Sequence, residues 1–317
     1  MKPPVNLAAL SLRELQYAAA VNQTRHFGQA AEHCAVSQAG LSEQLRKLEE
    51  ALGGPLFERA YRRVDLTPRG ALLLPQIDRI LTEARALMTL AHSPTEPMSF
   101  PLRLGAIATL GPYYLPHLLR EVRAAFAHLP LRLSESRTAS LLDDLRAGAL
   151  DAALLALPLP MAGLTVSALF FEPFHLVCPR QHAMARMAAP RLADLAGADL
   201  ILLEEGHCLR DQALDLCGDT DRPGRQATSI ETLWHMIASG EGYSLLPALS
   251  AEGREAMTEL VACRPIPEAD AGRTIGLVWR ATDPRAPEYV RLAATLRAGL
   301  PASVRPARDW HHHEDTA

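Results

Sequence analysis

The 317-residue chain has only five cysteines and few aromatic residues (5%), and its net charge is just −4. Each shortage excludes something. Cys34, Cys178, Cys208, Cys217 and Cys263 are too few, too scattered and odd in number for a secreted disulfide framework. No C-x-x-C occurs, which disfavours a zinc ribbon or a thioredoxin-type dithiol, and no metal or cofactor is expected. The first ten residues hold only Lys2 ahead of a short, proline-interrupted apolar stretch, without the core of a signal peptide, so the chain reads as cytoplasmic. Residues 152–171 carry no charge and are about long enough to cross a bilayer. Pro158, Pro160 and Gly163 break that stretch into strand, turn and strand, and no membrane span is expected.

What is present is a globular composition, 48% hydrophobic and 21% charged, enough for two or three domains. The first 69 residues carry nine Lys and Arg against seven Asp and Glu, and the remainder is net negative by six. A mildly basic head on an acidic body hints at a polyanion-binding module, and pattern must decide.

In the head, Leu12, Leu15, Tyr17, Ala18 and Val21 recur at helical spacing, then Phe27, Ala30, Ala31 and Cys34, then Leu41, Leu45, Leu48 and Leu52. Three short helices with a tight turn before the third predict helix-turn-helix, with Ser37 as N-cap and Gly53-Gly54 as terminator. With the leucines inward, Gln38, Ser42, Glu43 and Arg46 face solvent, where glutamine and arginine can bond base edges in a major groove. Arg59, Arg62 and Arg63 follow, suited to flanking phosphates. An ordinary solvated helix face is the plainer alternative for such residues.

A-A-E at 30–32, V-S-Q at 36–38, L-S-E-Q-L-R-K-L-E at 41–49, L-F-E-R at 56–59 and L-T-P-R-G at 66–70 closely resemble the DNA-binding signature of LysR-type transcription regulators. The family often has proline and a hydroxyl or small apolar residue where Ala39 and Gly40 stand, which leaves the start of the reading helix less rigidly defined. The resemblance implies an α plus α/β architecture. A winged helix-turn-helix over 1–67 leads to a dimerising linker helix over 68–93 and a hinge over 94–99. An effector domain of two α/β subdomains of periplasmic-binding-protein type follows over 100–304, with a disordered tail over 305–317.

The residues agree with that outline. Thr67 caps a long helix with Pro68 at its first position, and Leu72, Leu73, Ile77, Ile80, Leu81, Ala84, Leu87, Met88 and Ala91 give it an apolar side. With no partner in its own small domain, that side is expected to meet another chain, and Pro75 to bend the helix. From Phe100 onward short apolar runs alternate with helical patterns, which predicts parallel α/β sheets with a ligand site at the strand ends and between subdomains.

The informative stretch in the second region is G-H-C-L-R-D-Q-A-L-D-L-C at 206–217. Leu209, Ala213, Leu216 and Cys217 fall on one helical stripe, so a helix is expected to begin near Cys208 and to bury Cys217. The helix start, with His207 and Arg210, supplies positive charge where a sulfur nucleophile needs it, and Asp211 opposes it. Cys217, in apolar surroundings beside Asp215, is expected to stay a protonated, inert thiol. Nine residues of helix separate Cα atoms by roughly 13 to 14 Å, whereas a disulfide needs about 4.4 to 6.8 Å. If the segment is helical when reduced, these cysteines can bond only after it unwinds.

This stretch, with P-x-x-L-P at 112–116 and R-T-I-G-L-V at 273–278, resembles the hydrogen-peroxide-sensing branch of the LysR-type regulators over nearly the whole chain. The resemblance implies that peroxide oxidises Cys208 to a sulfenic acid, that Cys217 resolves it as an intramolecular disulfide, and that cellular thiol reductants reverse the bond. It maps peroxide-binding roles onto Thr109, Thr138, His207, Arg210, Asp211 and Arg273. It implies partners as well: a double-stranded DNA operator, RNA polymerase for an activator, and further copies of the chain as dimer or tetramer. Cys34, Cys178 and Cys263 are left as core or incidental thiols, and the His311 to His313 run as a polar tail. Two other readings stay open: a LysR-type regulator of an organic metabolite bound in the inter-subdomain cleft, and a thiol peroxidase that also binds DNA.

Overall fold

The computed structural model describes residues 10–60, 63–91, 100–195, 199–217 and 225–307, with Leu7 and Met98. The hinge at 94–97, Arg62 and the histidines at 311–313 lie outside them, and of Arg59 and Arg63 only the backbone is described. The chain divides into two compact units, 1–93 with 146–148, and 94–145 with 149–317.

In the first unit, helix α1 (Leu12–Thr24) opens on a capping box: Ser11 accepts from the Arg13 N–H, and Glu14 accepts from the Ser11 N–H at 3.2 Å. Helix α2 (Phe27–His33) is capped by the ring of His26, whose Nδ1 accepts from the amides of Gly28 and Gln29. Ser37 caps helix α3 (Gln38–Ala51) by accepting from the Gly40 N–H at 3.1 Å, so the reading helix has a defined start despite Ala39 and Gly40. Leu41, Leu45 and Leu48 are buried against Leu15, Val21 and Ala30, as their spacing predicts. Strands β1 (Phe57–Ala60) and β2 (Arg63–Leu66) pair antiparallel as the wing.

Helix α4 (Pro68–Ala91) follows and runs unbroken through Pro75. Its start is pinned by Thr67, whose hydroxyl donates to the Pro55 carbonyl at 2.7 Å and accepts from the Gly70 N–H at 2.9 Å. Gly70 is required there, because a Cβ would lie 2.0 Å from the Leu56 carbonyl oxygen. The expectation that this helix lacks a partner in its own domain is corrected. Leu74, Ile77 and Leu81 are buried in the same core as α1, while Leu72, Ile80, Leu87 and Met88 stay exposed, the first three as a separate apolar stripe.

The second unit runs β3 (Leu102–Ile107), α5 (Gly111–Ala125), β4 (Leu131–Ser136), α6 (Thr138–Arg146), β5 (Ala152–Leu157) and β6 (Leu164–Pro179). It continues through β7 (Leu202–Leu203), α7 (Cys208–Cys217), β8 (Gln226–Ala227), α8 (Ile230–Ala238), β9 (Ser244–Pro247) and β10 (Val261–Pro265). Strand β11 (Gly272–Arg280), helix α9 (Ala286–Ala298) and strand β12 (Arg305–Pro306) complete it. The sheet order is β10-β6-β11-β5-β3-β4, with β9 and β12 also on β6.

The all-parallel expectation holds only in part. β4, β3 and β5 are parallel, but β11 is antiparallel to both β5 and β6, and β9 and β10 are antiparallel to β6. The physical reason is β6 itself, one continuous strand of 16 residues in place of two short ones. Its first part pairs β11 up to Pro173, and its second part, from Phe174, pairs β9 and β10. Proline lacks an N–H, so Pro173 suits the point where the strand changes partners. Two cores result: one under β3, β4, β5, α5, α6 and α9, the other under α7, α8, β9 and β10. The expected tail at 305 starts too early, since Arg305 and Pro306 pair with Phe171 and Phe170.

Candidate functional site

Cys208 is the first residue of α7 and Cys217 the last, and both thiols are free. Cys208 lines a tight crevice between the two halves of the second unit. One wall comes from the carboxyl ends of β3 and β4 and the start of α6: Ile107, Ala108, Thr109, Ser136, Arg137 and Thr138. The other is the corner Gly206-His207-Cys208. Parallel strands direct their carboxyl ends here and a helix directs its amino end, which brings a partial positive charge to a place where α/β folds hold ligands.

Thr109 is buried, and its position is dictated from behind. Arg273 donates from Nη1 to Thr109 Oγ1 at 2.8 Å and from Nη2 to the Thr109 carbonyl at 2.9 Å. With Oγ1 already accepting, the hydroxyl proton is left to donate forward. Arg273 is in turn held by Glu172, which accepts at 2.9 Å from Nε and lies 2.8 Å from Nη2. Both side chains of this pair are fully buried, and Glu172 also accepts from the Leu249 N–H at 3.1 Å. Burial pushes the Glu172 carboxyl up, with the arginine and the amide working against that shift.

His207 is buried beside Cys208, and its imidazole is held below its ordinary value by burial first and by the Arg137 charge second, with Glu204 opposing. Burial raises the Cys217 thiol to about 11, so at neutral pH it keeps its proton.

In the first unit, Gln38, Glu43 and Arg46 are exposed on one side of α3 and Ser42 is half-buried. Arg46 is tied to Glu43 at 2.8 Å and to Glu50, and its hydrogen bond, with its charge behind it, pulls the Glu43 carboxyl down.

The sequence matches the family "Bacterial regulatory helix-turn-helix protein, lysR family" over residues 12–71 and "LysR substrate binding domain" over 96–301. The chain belongs to the LysR family. Within that family it is 41% identical over 297 residues to the DNA-binding transcriptional dual regulator OxyR of Escherichia coli K12, covering 92% of this chain and 96% of the relative. A full-length cysteine-to-aspartate OxyR variant from Pseudomonas aeruginosa superimposes with a TM-score of 0.82 at 36% identity, covering 96% of this chain and 99% of that one. A Corynebacterium glutamicum OxyR cysteine-to-serine mutant with H2O2 bound gives 0.62 at 34% identity, covering 91% and 92%.

For this LysR-family chain the structure brings Thr109, Thr138, His207 and Cys208 around one crevice. Three other residues selected from the sequence stand apart from it. Arg273 is sealed behind Thr109. Arg210 turns its guanidinium to the Leu203 carbonyl at 3.0 Å, closing the end of β7. Asp211 is exposed on the outer side of α7. Sequence reasoning missed Glu172 and Arg137. The signal for Glu172 was one carboxylate between Phe171 and Pro173 in an apolar run, and for Arg137 its place in S-R-T-A-S beside Thr138.

Proposed function

We propose that this chain is a DNA-binding transcription regulator of oxidative-stress genes, switched by hydrogen peroxide through a reversible Cys208–Cys217 disulfide. The observation that carries the reading is the free Cys208 thiol at a helix start, sharing one tight crevice with Thr109, Thr138 and His207.

In the proposed reaction the Cys208 thiolate attacks one peroxide oxygen and the O–O bond breaks. The leaving hydroxide takes a proton and departs as water, which leaves Cys208 as sulfenic acid. The hydroxyls of Thr109 and Thr138 and the ring of His207 hold the two oxygens. Arg273 acts through Thr109, and Arg210 and Asp211 act at most through the shape of α7. The Cys217 thiol then displaces the sulfenic hydroxyl as a second water, and a cellular thiol reductant later reopens the disulfide. One oxidation per chain followed by arrest distinguishes this switch from a peroxidase.

The DNA side rests on α3, with Gln38, Ser42, Glu43 and Arg46 toward base edges and Arg59, Arg62 and Arg63 toward phosphates. The exposed stripe Leu72, Ile80 and Leu87 on α4 supports a homo-oligomer, dimer or tetramer, working on an operator together with RNA polymerase in the cytoplasm. The proposed organisation is 1–67 for DNA, 68–93 for dimerisation, 94–99 as hinge and the remainder to about 307 for sensing.

The test is a footprint and promoter assay with and without brief peroxide. The wild type is expected to change footprint and output, and Cys208→Ser to lose both changes. Cys217→Ser is expected to accumulate a sulfenic acid that a dimedone-type trap captures. An unchanged response in Cys208→Ser sinks the reading.

A further inference from the structure

We propose that Arg137 is a positioning residue for the reaction at Cys208, pinning the Gly206-His207-Cys208 corner against the β4–α6 junction and supplying the one permanent positive charge among the residues lining the crevice. The proposal rests on the peroxide-sensing reading above.

The backbone of Arg137 belongs to one half of the second unit, where its carbonyl accepts from the Leu141 N–H at 3.1 Å in the first turn of α6. Its side chain reaches the other half. Nη2 lies 3.9 Å from Glu204 Oε2, and a Cβ built on Gly206 would sit 3.2 Å from Nη1 and 3.4 Å from Cδ. The arginine therefore lies along the bare backbone of Gly206, which also adopts a φ of +89° that side chains of L residues rarely take. One glycine thus makes the corner that presents Cys208 and leaves room for the arginine that braces it.

The charge has a chemical role as well as a mechanical one. As sulfur attacks and the O–O bond breaks, negative charge passes from sulfur to the leaving oxygen, and a fixed positive group nearby favours that movement. The charged groups facing His207 are Arg137 and Glu204, of opposite sign, and burial first, with Arg137 second, lowers the imidazole and so favours its neutral form. A neutral ring can donate from one nitrogen and accept at the other, which lets it hold a peroxide O–H. Arg137 is about half exposed (52%), so salt screens its effect, and its contribution is a modest multiple of the rate.

The test uses the full-length chain, stopped-flow oxidation of Cys208 at low and high salt, and an NMR titration of His207. Expected rates fall in the order wild type, Arg137→Lys, Arg137→Ala, Arg137→Glu. The alanine variant should be about three- to five-fold slower at low salt, the range an exposed charge commands, with the gap closing at high salt. The His207 titration should move up in Arg137→Ala and stay near wild type in Arg137→Lys, a change that a purely structural role would not produce. Arg137→Glu oxidising at the wild-type rate, or an unmoved His207 titration, overturns the assignment while leaving the sensor intact. A wild-type chain inert to peroxide overturns the sensing reading, and this one with it.

Discussion

Cys208 and Cys217 are the two ends of one ten-residue helix, yet they pack against different hydrophobic cores: Cys208 against the core under β3, β4 and β5, Cys217 against the core under α8, β9 and β10. A straight helix keeps their Cα atoms roughly 13 to 14 Å apart, about twice the reach of a disulfide. Joining the sulfurs therefore dissolves the helix and withdraws at least one cysteine from its core, which converts a local oxidation into a change in how the two halves meet.

Cys217, expected to be buried, is half-buried, and its thiol has its own signature. With its thiol held up at about 11 against an ordinary 9.0, alkylation of Cys217 in the reduced, folded chain should be slow at pH 7 to 8 and should accelerate toward pH 11. Because the folded value is the higher one, the stability this thiol contributes is intact below pH 9 and fades as pH rises toward 11. Mass-resolved alkylation against pH checks the first statement; rapid labelling of Cys217 at pH 7 in folded protein contradicts it.

Breaking the Arg273–Glu172 pair leaves one charge stranded in a dry core. Arg273→Ala should cost about 3 to 5 kcal/mol in urea unfolding. Replacing both, as Arg273→Met with Glu172→Leu, should recover most of that loss, because apolar residues of similar volume often substitute well for a buried ion pair. Cys208 should nevertheless stay slow toward peroxide in the double variant, since Thr109 loses the guanidinium that orients its hydroxyl. Full recovery of stability and rate together would show that the pair is only structural.

On the reading helix, Arg46 rests between two carboxylates that a DNA backbone would repel. Arg46→Ala should weaken operator binding by about 1 to 3 kcal/mol, and Glu50→Gln should strengthen it, a difference of sign that gel-shift titration at fixed salt can read.

The junction of wing and linker predicts a stability defect at residues that are neither on the α3 face nor in the lining of the Cys208 crevice. Gly70→Ala forces a methyl group onto the Leu56 carbonyl and should cost about 2 to 3 kcal/mol in thermal or urea melts. Thr67→Val, which loses the cap and the bond to Pro55, should cost about 1 to 2 kcal/mol.

What the sequence made legible was local. Ser37 before an apolar repeat, and Leu209, Ala213, Leu216 and Cys217 on one stripe, are patterns within a few turns of helix, and both elements lie where their spacing predicts. What it hid was long-range. The unity of β6 was hidden, because nothing local to Glu172 and Pro173 says that the strand runs on through them and changes partner there. Glu172 and Arg273 are 101 residues apart, and nothing in either neighbourhood announces the other. Arg210 and Asp211 sit one turn from the reactive sulfur in sequence, but helical geometry sends one side chain back to Leu203 and the other to solvent.

The most direct test is hydrogen–deuterium exchange read by mass spectrometry on peptides spanning 208–217, before and after one equivalent of peroxide. The account predicts protected amides in the reduced chain and rapid exchange together with a Cys208–Cys217 linkage in the oxidised one, with β3 and β5 unchanged. A linked peptide that keeps the protection of the reduced helix would contradict it.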